Sequence, residues 1–411
     1  MVSKEKQLRS QIEEAFSAGN NQLGLKLLRS LSSLRPGDPE IYYRLAVIEE
    51  QIGSPEGALS AYLKCLALAP NNPLAFLYSG YCLQQQGRLD EALALYSFCA
   101  DINEGILALW QDQSTPSETR LRSDAANKSL RKYLSDMHRD SVGLDDCNRR
   151  IADALWTRTH NHSFKFAEAQ QKPQLFYVPE LTPIRYAAID QSDSRWCWVR
   201  QLEASAEAIK QELLLALPEV REKGRPYLPQ GMKLDAGFSP LIGSLNWTAL
   251  DLYKDGELNQ DVAPYFPVTL AALTTEGLHE REPASSTSGA PLYRLHDTPF
   301  EVFFSLLKPG QHIKPHYGLS NHSLTVHLPL LVPDNCWLRV AGEKHVWRQG
   351  ELVAFDDTFE HEAKNASTEE RVLLIFSIWH PDLSIEEQNS IQRSFRAREK
   401  WRTARRIPSL D

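Results

Sequence analysis

The sequence contains no long hydrophobic run. No segment reaches the roughly 18 consecutive apolar residues that a membrane-spanning helix needs. The amino-terminal stretch MVSKEKQLRSQIEEAF also lacks the apolar centre of a signal peptide. These two absences predict a soluble protein without a transmembrane segment, and we expect it in the cytoplasm.

Cysteine and net positive charge are also scarce. The 411 residues include six cysteines without any CxxC pair, namely Cys65, Cys82, Cys99, Cys147, Cys197 and Cys336. Their scatter excludes a disulfide-stapled small domain and predicts reduced thiols in the core. The formal net charge of −8 argues against general nucleic-acid binding.

A period of 34 residues runs through the amino-terminal quarter of the chain. It relates Gly19, Gly53 and Gly87, Pro36 and Pro70, Ala58 and Ala92, and Tyr62 and Tyr96. Each unit predicts two amphipathic helices, with glycine at the turn between them and proline after the second. This is the tetratricopeptide period, and residues 5–106 resemble tetratricopeptide repeats. Such repeats either dock a protein or peptide partner or only support the rest of the chain, and the sequence favours neither.

The middle of the chain carries weaker patterns. Residues 107–165 are polar and compatible with helix, which predicts a helical linker between two larger domains. Residues 166–411 would then form the second domain. Within it, the Ser-, Gly- and Pro-rich stretch 281–290 predicts a loop.

From Pro299 onward the hydrophobic period changes to two. Short apolar runs such as EVFFSLL and RVLLIFSIW alternate with turn-forming segments, which predicts a β-sandwich or barrel of the double-sheet jelly-roll type. After these strands, Ser384 and Glu387 predict a capping box that opens a basic carboxy-terminal helix. Its arginines and lysines suit either a solvated helix face or an anionic lipid surface.

Histidine is concentrated in this second half. Eight of the twelve histidines lie between His296 and His380, which indicates a metal site. The best candidate ligands are His316 and His361, because each sits where a loop meets a strand and different strands can bring them together. Imidazole nitrogen binds iron(II), zinc or copper well, so the residues alone leave the metal open.

Five ordered motifs lie between residues 299 and 383. They are PHYGLSN at 315–321, LTVHLPL at 324–330, FDDTFEH at 355–361, Arg371 and WHPDL at 379–383. In this order and spacing, they resemble the aspartyl/asparaginyl β-hydroxylase family. The resemblance implies a double-stranded β-helix, the cupin-like jelly roll, as catalytic core over 299–383 with flanking helices. It also implies an iron(II)- and 2-oxoglutarate-dependent dioxygenase that uses molecular oxygen.

The resemblance assigns roles to individual residues. His316 and His361 would ligate iron(II), and Gly318 stands where most related oxygenases have a third, carboxylate ligand. In the resembled family, water fills that vacancy and an aspartate matching Asp357 stabilises the water. Cosubstrate binding would fall to Ser305, His327 and Arg371, with the Arg371 guanidinium pairing with the distal carboxylate of 2-oxoglutarate.

Two positions depart from the animal enzyme of the family. Phe303 replaces a cationic side chain two residues before the cosubstrate serine, and Thr325 replaces an arginine two residues before His327. The first departure weakens the case for an acidic peptide residue as the substrate. The second leaves Arg371 to carry more of the charge pairing with the cosubstrate.

The function that follows from the resemblance is hydroxylation of a C–H bond, with an Asp- or Asn-type residue of a protein or peptide as one candidate substrate. A lipid or a small amino-acid-like molecule is an alternative substrate. Two rivals from other classes are a tetratricopeptide adaptor whose β-domain is a silent scaffold, and a zinc-binding jelly-roll protein. Retention of both histidines and Arg371 argues against the silent scaffold.

Overall fold

The structure is a computed structural model that describes residues 2–143, 149–157, 165–232, 234, 236–274, 290–294 and 298–409. The loop predicted at 281–290 lies outside the described residues except for Ala290. The chain divides into two compact units, residues 1–137 with 398–411 and residues 138–397. The domain limits inferred from the sequence, at 5–106, 107–165 and 166–411, stay a prediction.

The first unit is helical. Its helices are α1 Val2–Ser17, α2 Asn21–Leu34, α3 Pro39–Gln51, α4 Pro55–Leu68, α5 Pro73–Gln85, α6 Leu89–Ile102 and the first part of α7 Ser117–Val142. The helices α1 to α6 pack as three consecutive pairs, which confirms the predicted helical repeats. Among the described residues no single helix is long and apolar enough to cross a membrane, and only the pair 89–102 and 104–111, bent by 99°, qualifies by length and composition.

The 34-residue period is visible in the backbone of the turns. Gly19, Gly53 and Gly87 all have positive φ, between 71° and 79°. In the second turn, the amide of Gly53 donates to the carbonyl of Glu50 at 3.0 Å. The amide of Ser54 donates to the carbonyl of Glu49 at 2.8 Å. These are the two bonds of a Schellman motif, and both recur at the other glycines. Glycine is therefore required at these three positions, because the backbone there is left-handed.

The core of the first unit follows from the same period. Ala58, Tyr62, Ala92 and Tyr96 are fully buried. The Tyr96 ring fills the space beside Gly80, where an added Cβ would lie 2.6 Å from a ring carbon. Small and large residues therefore alternate between neighbouring helices, as close packing requires.

Helix α7 covers part of this repeat surface. The Arg122 guanidinium lies 4.0 Å from the centre of the Tyr78 ring and forms an ion pair of 2.9 Å with Glu50. The Arg122 side chain is 95% buried by these contacts, since its exposed fraction is 5%. A partner that docks on the repeats would therefore find the surface around Tyr78 already occupied by the chain itself.

The second unit is rich in strands. They are β1 Leu155–Trp156, β2 Phe176–Tyr177, β3 Arg225–Pro226, β4 Trp247–Lys254, β5 Glu257–Leu258, β6 Val302–Leu307, β7 His312–His316, β8 Ser323–Leu331, β9 Cys336–Val340, β10 Glu343–His345, β11 Val353–Phe355, β12 His361–Asn365 and β13 Arg371–Trp379. The helices that accompany them are α8 Arg149–Ala152, α9 Trp198–Val220, α10 Pro267–Thr274 and α11 Ile385–Ala404.

Two antiparallel sheets carry most of these strands. The larger has the order β11-β8-β13-β6-β4-β3 with β5 beside β4, and the smaller has the order β10-β9-β12-β7. One apolar cluster joins residues of both sheets, including Leu307 and Leu373 of the larger and Ile313 and Leu338 of the smaller. A second cluster packs α9 against the opposite face of the larger sheet. A sheet-rich domain behind helical repeats is thus confirmed, whereas the specific jelly-roll type stays a prediction.

Two local expectations have different outcomes. The capping box is present, because the amide of Ser384 donates to Glu387 at 2.9 Å and the amide of Glu387 donates to the Ser384 hydroxyl at 3.2 Å. The prediction of a core position was wrong for Cys197, which is exposed, and Cys147 lies outside the described residues. The flanking Trp196 and Trp198 side chains take the buried positions at the start of α9, so Cys197 turns outward.

Gly53→Ala should lower the free energy of unfolding of the repeat unit by about 1 kcal/mol, because a residue with a Cβ is strained at positive φ. Nothing lies within 4 Å of the added methyl group, so the loss would come from the backbone alone. Chemical denaturation of the full chain would measure it. Gly37→Ala, which also adds a methyl group in open space but lacks a positive φ, should have little effect. Equal stabilities of the two variants would contradict this explanation.

Candidate active site

The inner face of the larger sheet, which faces the smaller sheet, carries the predicted cosubstrate residues. Strand register pairs Leu373 with Ser305 and Ile375 with His327. Because side chains alternate along a strand, Arg371, Leu373 and Ile375 share one face with both partners. Ser305 and His327 are buried, and Arg371 is only 1% exposed. The structure therefore brings Ser305, His327 and Arg371 to the same face.

The two predicted metal ligands lie opposite each other in the smaller sheet. His316 ends β7 and His361 begins β12, and the antiparallel register pairs these two residues. Their ring centres are 4.0 Å apart, and Phe238 meets the His316 ring edge-on at 5.8 Å. The 45 residues that separate them in sequence are thus bridged by one strand pairing.

The hydrogen bonds of both histidines determine which ring nitrogen carries a proton. Nδ1 of His316 lies 2.7 Å from the carbonyl of Lys314, and Nδ1 of His361 lies 3.0 Å from the carbonyl of Phe359. A carbonyl can only accept, so Nδ1 donates in each ring and Nε2 carries the lone pair. Burial lowers the pKa of His316 to about 3 and that of His361 to about 4. Both rings are therefore neutral near pH 7, as metal ligands must be.

Asp357 occupies the space beside Gly318. A Cβ added at Gly318 would lie 1.9 Å from Oδ1 of Asp357, so a side chain at 318 and this carboxylate exclude each other. The amide of Gly318 also donates to the Asp357 carbonyl at 2.7 Å, and the Thr325 hydroxyl donates to Oδ2 at 3.1 Å. Burial raises the pKa of Asp357 to about 6, against the effect of the Thr325 hydrogen bond. The carboxylate thus stands where a side chain at 318 would project.

Arg371 lies in a pocket of unsatisfied donors. Its Nε and Nη2 have no hydrogen-bond partner in the described part of the chain, and its Nη1 is 3.5 Å from the Ser305 hydroxyl. The Trp347 indole N–H and Nδ1 of His327 are buried and unpartnered as well. The guanidinium lies 5.4 Å from the Trp347 ring, whose centre is 5.8 Å from the His327 ring. Burial lowers the pKa of Arg371 to about 10, so it remains charged near pH 7.

These orphaned groups indicate an anion-binding pocket. A buried charge without a counter-ion is expensive, and buried donors are normally paired. An anion that enters the pocket would satisfy several donors at once. The indole of Trp347 was not anticipated from the sequence, because it lies in a connection between β10 and β11 that belongs to none of the motifs.

A strap formed by residues 168–178 holds the loops of both histidines. The amide of Lys172 donates to the Thr358 carbonyl at 2.7 Å, and that of Leu175 donates to the Leu319 carbonyl at 2.8 Å. Asn321 exchanges two hydrogen bonds of 2.8 Å with the backbone of Val178, which ties the loop after His316 to the strap. Gln171 also donates to Asp356 at 2.8 Å. The strap lies more than 130 residues from either loop in sequence, and its own sequence gave no signal of this role.

Two further described histidines have other partners. His312 binds the Glu362 carboxylate at 2.6 Å, and His322 is enclosed by rings such as Tyr293 at 4.8 Å. Within the described ranges, no group of three or more His, Cys, Asp or Glu side chains could hold a metal ion. His316 and His361 are therefore a candidate two-nitrogen metal site.

Comparison with known sequences agrees with this geometry. Residues 203–381 match the family described as aspartyl/asparaginyl beta-hydroxylase, and residues 39–72 and 61–94 match tetratricopeptide repeats. The chain is 24% identical to the aspartyl/asparaginyl beta-hydroxylase of Mus musculus, with 93% of this chain and 45% of that protein covered. For the Homo sapiens protein of the same name, the identity is 24% and the coverage 91% and 42%. The chain thus spans less than half the length of these relatives.

Other similarities cover smaller parts. The aspartate beta-hydroxylase domain-containing protein 2 of Xenopus tropicalis is 28% identical, with 55% of each chain covered. Among solved structures, MamA is 22% identical over 32% of this chain and 76% of its own, with a TM-score of 0.25. A TM-score this low supports no structural argument, so the resemblance rests on the sequence matches and the motifs.

Gly318→Ala should destabilise the second unit by about 1–3 kcal/mol, because the new methyl group overpacks against the Asp357 carboxylate. Thermal unfolding should show a fall of roughly 2–10 °C in melting temperature. Gly237→Ala is the matched control, since its added methyl group would meet only the flexible Lys314 side chain at 3.1 Å. The double variant Gly318→Ala/Asp357→Gly removes the clash and should recover much of the loss. A Gly318→Ala variant as stable as the unsubstituted chain would refute the mutual exclusion.

Proposed function

We propose that this chain, whose residues 203–381 match the aspartyl/asparaginyl β-hydroxylase family, is an iron(II)- and 2-oxoglutarate-dependent dioxygenase. The observation that carries the proposal is the juxtaposition of two neutral imidazoles with a buried, unpaired guanidinium. The imidazoles suit a divalent metal, and the guanidinium suits a dicarboxylate cosubstrate. The relatives are named as hydroxylases, which supports an oxidoreductase that hydroxylates its substrate.

The metal would be held by Nε2 of His316 and of His361. Two nitrogen ligands suit iron(II) and leave the other coordination positions for cosubstrate, oxygen and water. Bound iron would supply the oxygen activation by which such enzymes hydroxylate an unactivated C–H bond while 2-oxoglutarate becomes succinate and carbon dioxide. The backbone carbonyls of Lys314 and Phe359 keep both rings oriented with their lone pairs available.

The Asp357 carboxylate would act next to the metal. Its position beside Gly318 places negative charge in the space from which a third protein ligand would otherwise project. The Thr325 hydroxyl holds one of its oxygens, which leaves the other to accept a hydrogen bond from water. We therefore assign Asp357 the role of orienting water at this position.

The distal carboxylate of 2-oxoglutarate would bind at Arg371. Nε and Nη2 of the guanidinium can donate in parallel to two carboxylate oxygens. The Ser305 hydroxyl accepts from the Trp247 indole at 3.1 Å and can donate to the cosubstrate, as can the indole of Trp347 and the ring of His327. The cosubstrate would thereby neutralise the charge that the fold buries. This retained set of donors is what argues against a silent scaffold.

For the substrate and the partner, we propose a chemical class. The names of the relatives suggest an Asp- or Asn-type residue, with a lipid or a small amino-acid-like molecule as the alternative. Tetratricopeptide repeats suit a protein or peptide partner, which would bring such a residue to the site. Metal analysis together with a succinate assay would distinguish this function from zinc binding without catalysis.

His316→Ala and His361→Ala should each abolish iron(II) binding and the release of succinate from 2-oxoglutarate, because each variant removes one of two ligands. Equilibrium dialysis with metal analysis, followed by a succinate assay with iron(II) and ascorbate, would measure both effects. His312→Ala is the control, since it removes a histidine of the same strand that pairs with Glu362. Wild-type succinate release by either ligand variant would reject the assignment. Preferential binding of zinc without succinate release would support the zinc-binding alternative.

Arg371→Ala should weaken binding of 2-oxoglutarate by about 30-fold or more, since losing one partner of a buried ion pair costs about 2–5 kcal/mol. Arg371→Lys should rescue only part of the affinity, because lysine lacks the planar two-point geometry. Calorimetric titration into the anaerobic manganese(II) form would measure these affinities. Arg221→Ala serves as control, because it removes an exposed arginine that pairs with Glu370. Unchanged affinity in Arg371→Ala would exclude this residue from the pocket.

A further inference from the structure

We infer that the substrate cleft of this chain receives a positively charged group, an ammonium or a guanidinium, beside the pair of histidines. The inference rests on the proposed function and specifies the class of its substrate. It concerns the end of the inner sheet face that lies away from Arg371, and in particular the carboxylate of Glu301.

The cleft is located by a gradient of exposure along the inner face. At the Arg371 end, Leu307 and Leu373 are 0% exposed, so the two sheets close on each other. Toward the other end, Ile375 and Ser377 on the same face of β13 are only half-buried, as is Thr325 beside Ser377. The space between the sheets therefore opens at the end that carries Thr325. The cosubstrate pocket is the closed end, and the substrate must enter from the open one.

Glu301 immediately precedes β6, and extending the strand register by one residue places it at this open end. Phe303 pairs with Ile375 and with Asp251 of β4, so these side chains form one row across the inner face. Glu301 precedes Phe303 by two residues and is in phase with the same face. It thus falls level with Ser377 and Thr325, about 10 Å from Thr325 by the spacing of adjacent strands. The Thr325 hydroxyl in turn donates to the Asp357 carboxylate at 3.1 Å. This hydrogen bond links the row of Glu301, Ser377 and Thr325 to the pair of histidines.

The charges on this wall are unbalanced. Arg225 binds Asp251 through two hydrogen bonds of 2.6 and 3.0 Å, so its positive charge is already neutralised. Glu301 has no hydrogen-bond or ion-pair partner in the part of the chain that is described. Burial and the nearby carboxylates of Asp251, Asp255 and Asp357 together raise the pKa of Glu301 to about 7, against the opposing effect of the Arg225 guanidinium. A cation placed beside Glu301 would relieve this repulsion and hold the group ionised.

Aromatic rings complete the wall. The Tyr227 ring stacks on Trp247 with centres 4.0 Å apart and on Phe303 with centres 5.4 Å apart. Neither Phe303 nor Thr325 supplies a positive charge to the cleft. A carboxylate of the substrate would meet Glu301 without a free cation on this wall.

The inference can be tested with short peptides that differ only in a central Lys, Arg, norleucine, Asn or Asp. Norleucine matches the length of lysine without its charge. Calorimetric titration into the metal-free protein would measure affinity independently of turnover, and mass spectrometry of complete reactions would detect a gain of one oxygen. We expect the Lys or Arg peptide to bind about tenfold or more tightly than the norleucine peptide, a difference of about 1.4 kcal/mol. We expect the Asp peptide to bind most weakly. Free arginine, assayed beside the Arg peptide, distinguishes a small molecule from a protein side chain.

Variants of Glu301 assign the preference to its charge. Glu301→Gln keeps the shape and should remove most of the advantage of the cationic peptide, whereas Glu301→Lys should shift the preference toward Asp. Glu257→Gln, at an exposed position of β5, is the matched control and should change nothing. Unchanged affinity for 2-oxoglutarate in each variant would show that the fold and the cosubstrate pocket are intact.

Several results would overturn the inference. These are tighter binding of the Asp or Asn peptide, equal binding of all peptides, no detectable binding of either cationic peptide, or a preference that survives Glu301→Gln. Failure of the proposed function has a different signature, since succinate release would then be absent or independent of His316 whatever peptide is bound. Turnover that depends on His316 but prefers Asp would leave the dioxygenase in place and reject the cationic substrate.

Discussion

Antiparallel register within the two sheets places the five strand residues of the candidate site. One pairing sets His316 opposite His361, and another sets Ser305 and His327 on the face of Arg371. Because side chains alternate, a slip of one residue in β13 would turn Arg371 out of the inner face and insert an apolar neighbour in its place. The apolar residues between the sheets, and those between the larger sheet and α9, fix this register. Apolar packing away from the candidate site therefore determines which side chains face into the site.

The site is built from groups that the chain itself leaves unsatisfied. Two nitrogens of the Arg371 guanidinium have no partner, and the His316 and His361 rings present lone pairs on Nε2. The Glu301 carboxylate has no hydrogen-bond or ion-pair partner among the described residues. These groups lie at different positions between the two sheets, from the closed end to the open end. Under the proposed function, this order would place cosubstrate, metal and substrate in succession. The stability that the fold forgoes in burying these groups would be recovered when the ligands bind.

The repeat unit shows the opposite situation, in which structure follows from local chemistry. A glycine at positive φ, a Schellman motif and a buried Ala–Tyr pair recur in neighbouring repeats. These interactions join residues that are close in sequence, so the 34-residue period predicts them directly. The course of α7 is different, because its Arg122 reaches Glu50 over 72 residues. That contact, which covers part of the repeat surface, was not visible in the period.

The sequence alone determined the helical repeats and the strand-rich second half, because hydrophobic period is a property of the chain. Its motifs also singled out His316, His361 and Arg371 as candidate site residues. Tertiary structure decided the rest. It showed that Asp357 fills the space beside Gly318, that Trp347 joins the pocket of Arg371, and that the strap around Gln171 holds both histidine loops. It also separated Arg225, which is neutralised by Asp251, from Glu301, which has no partner among the described residues. These relations join residues far apart in sequence, and only the folded chain brings such groups within reach of each other.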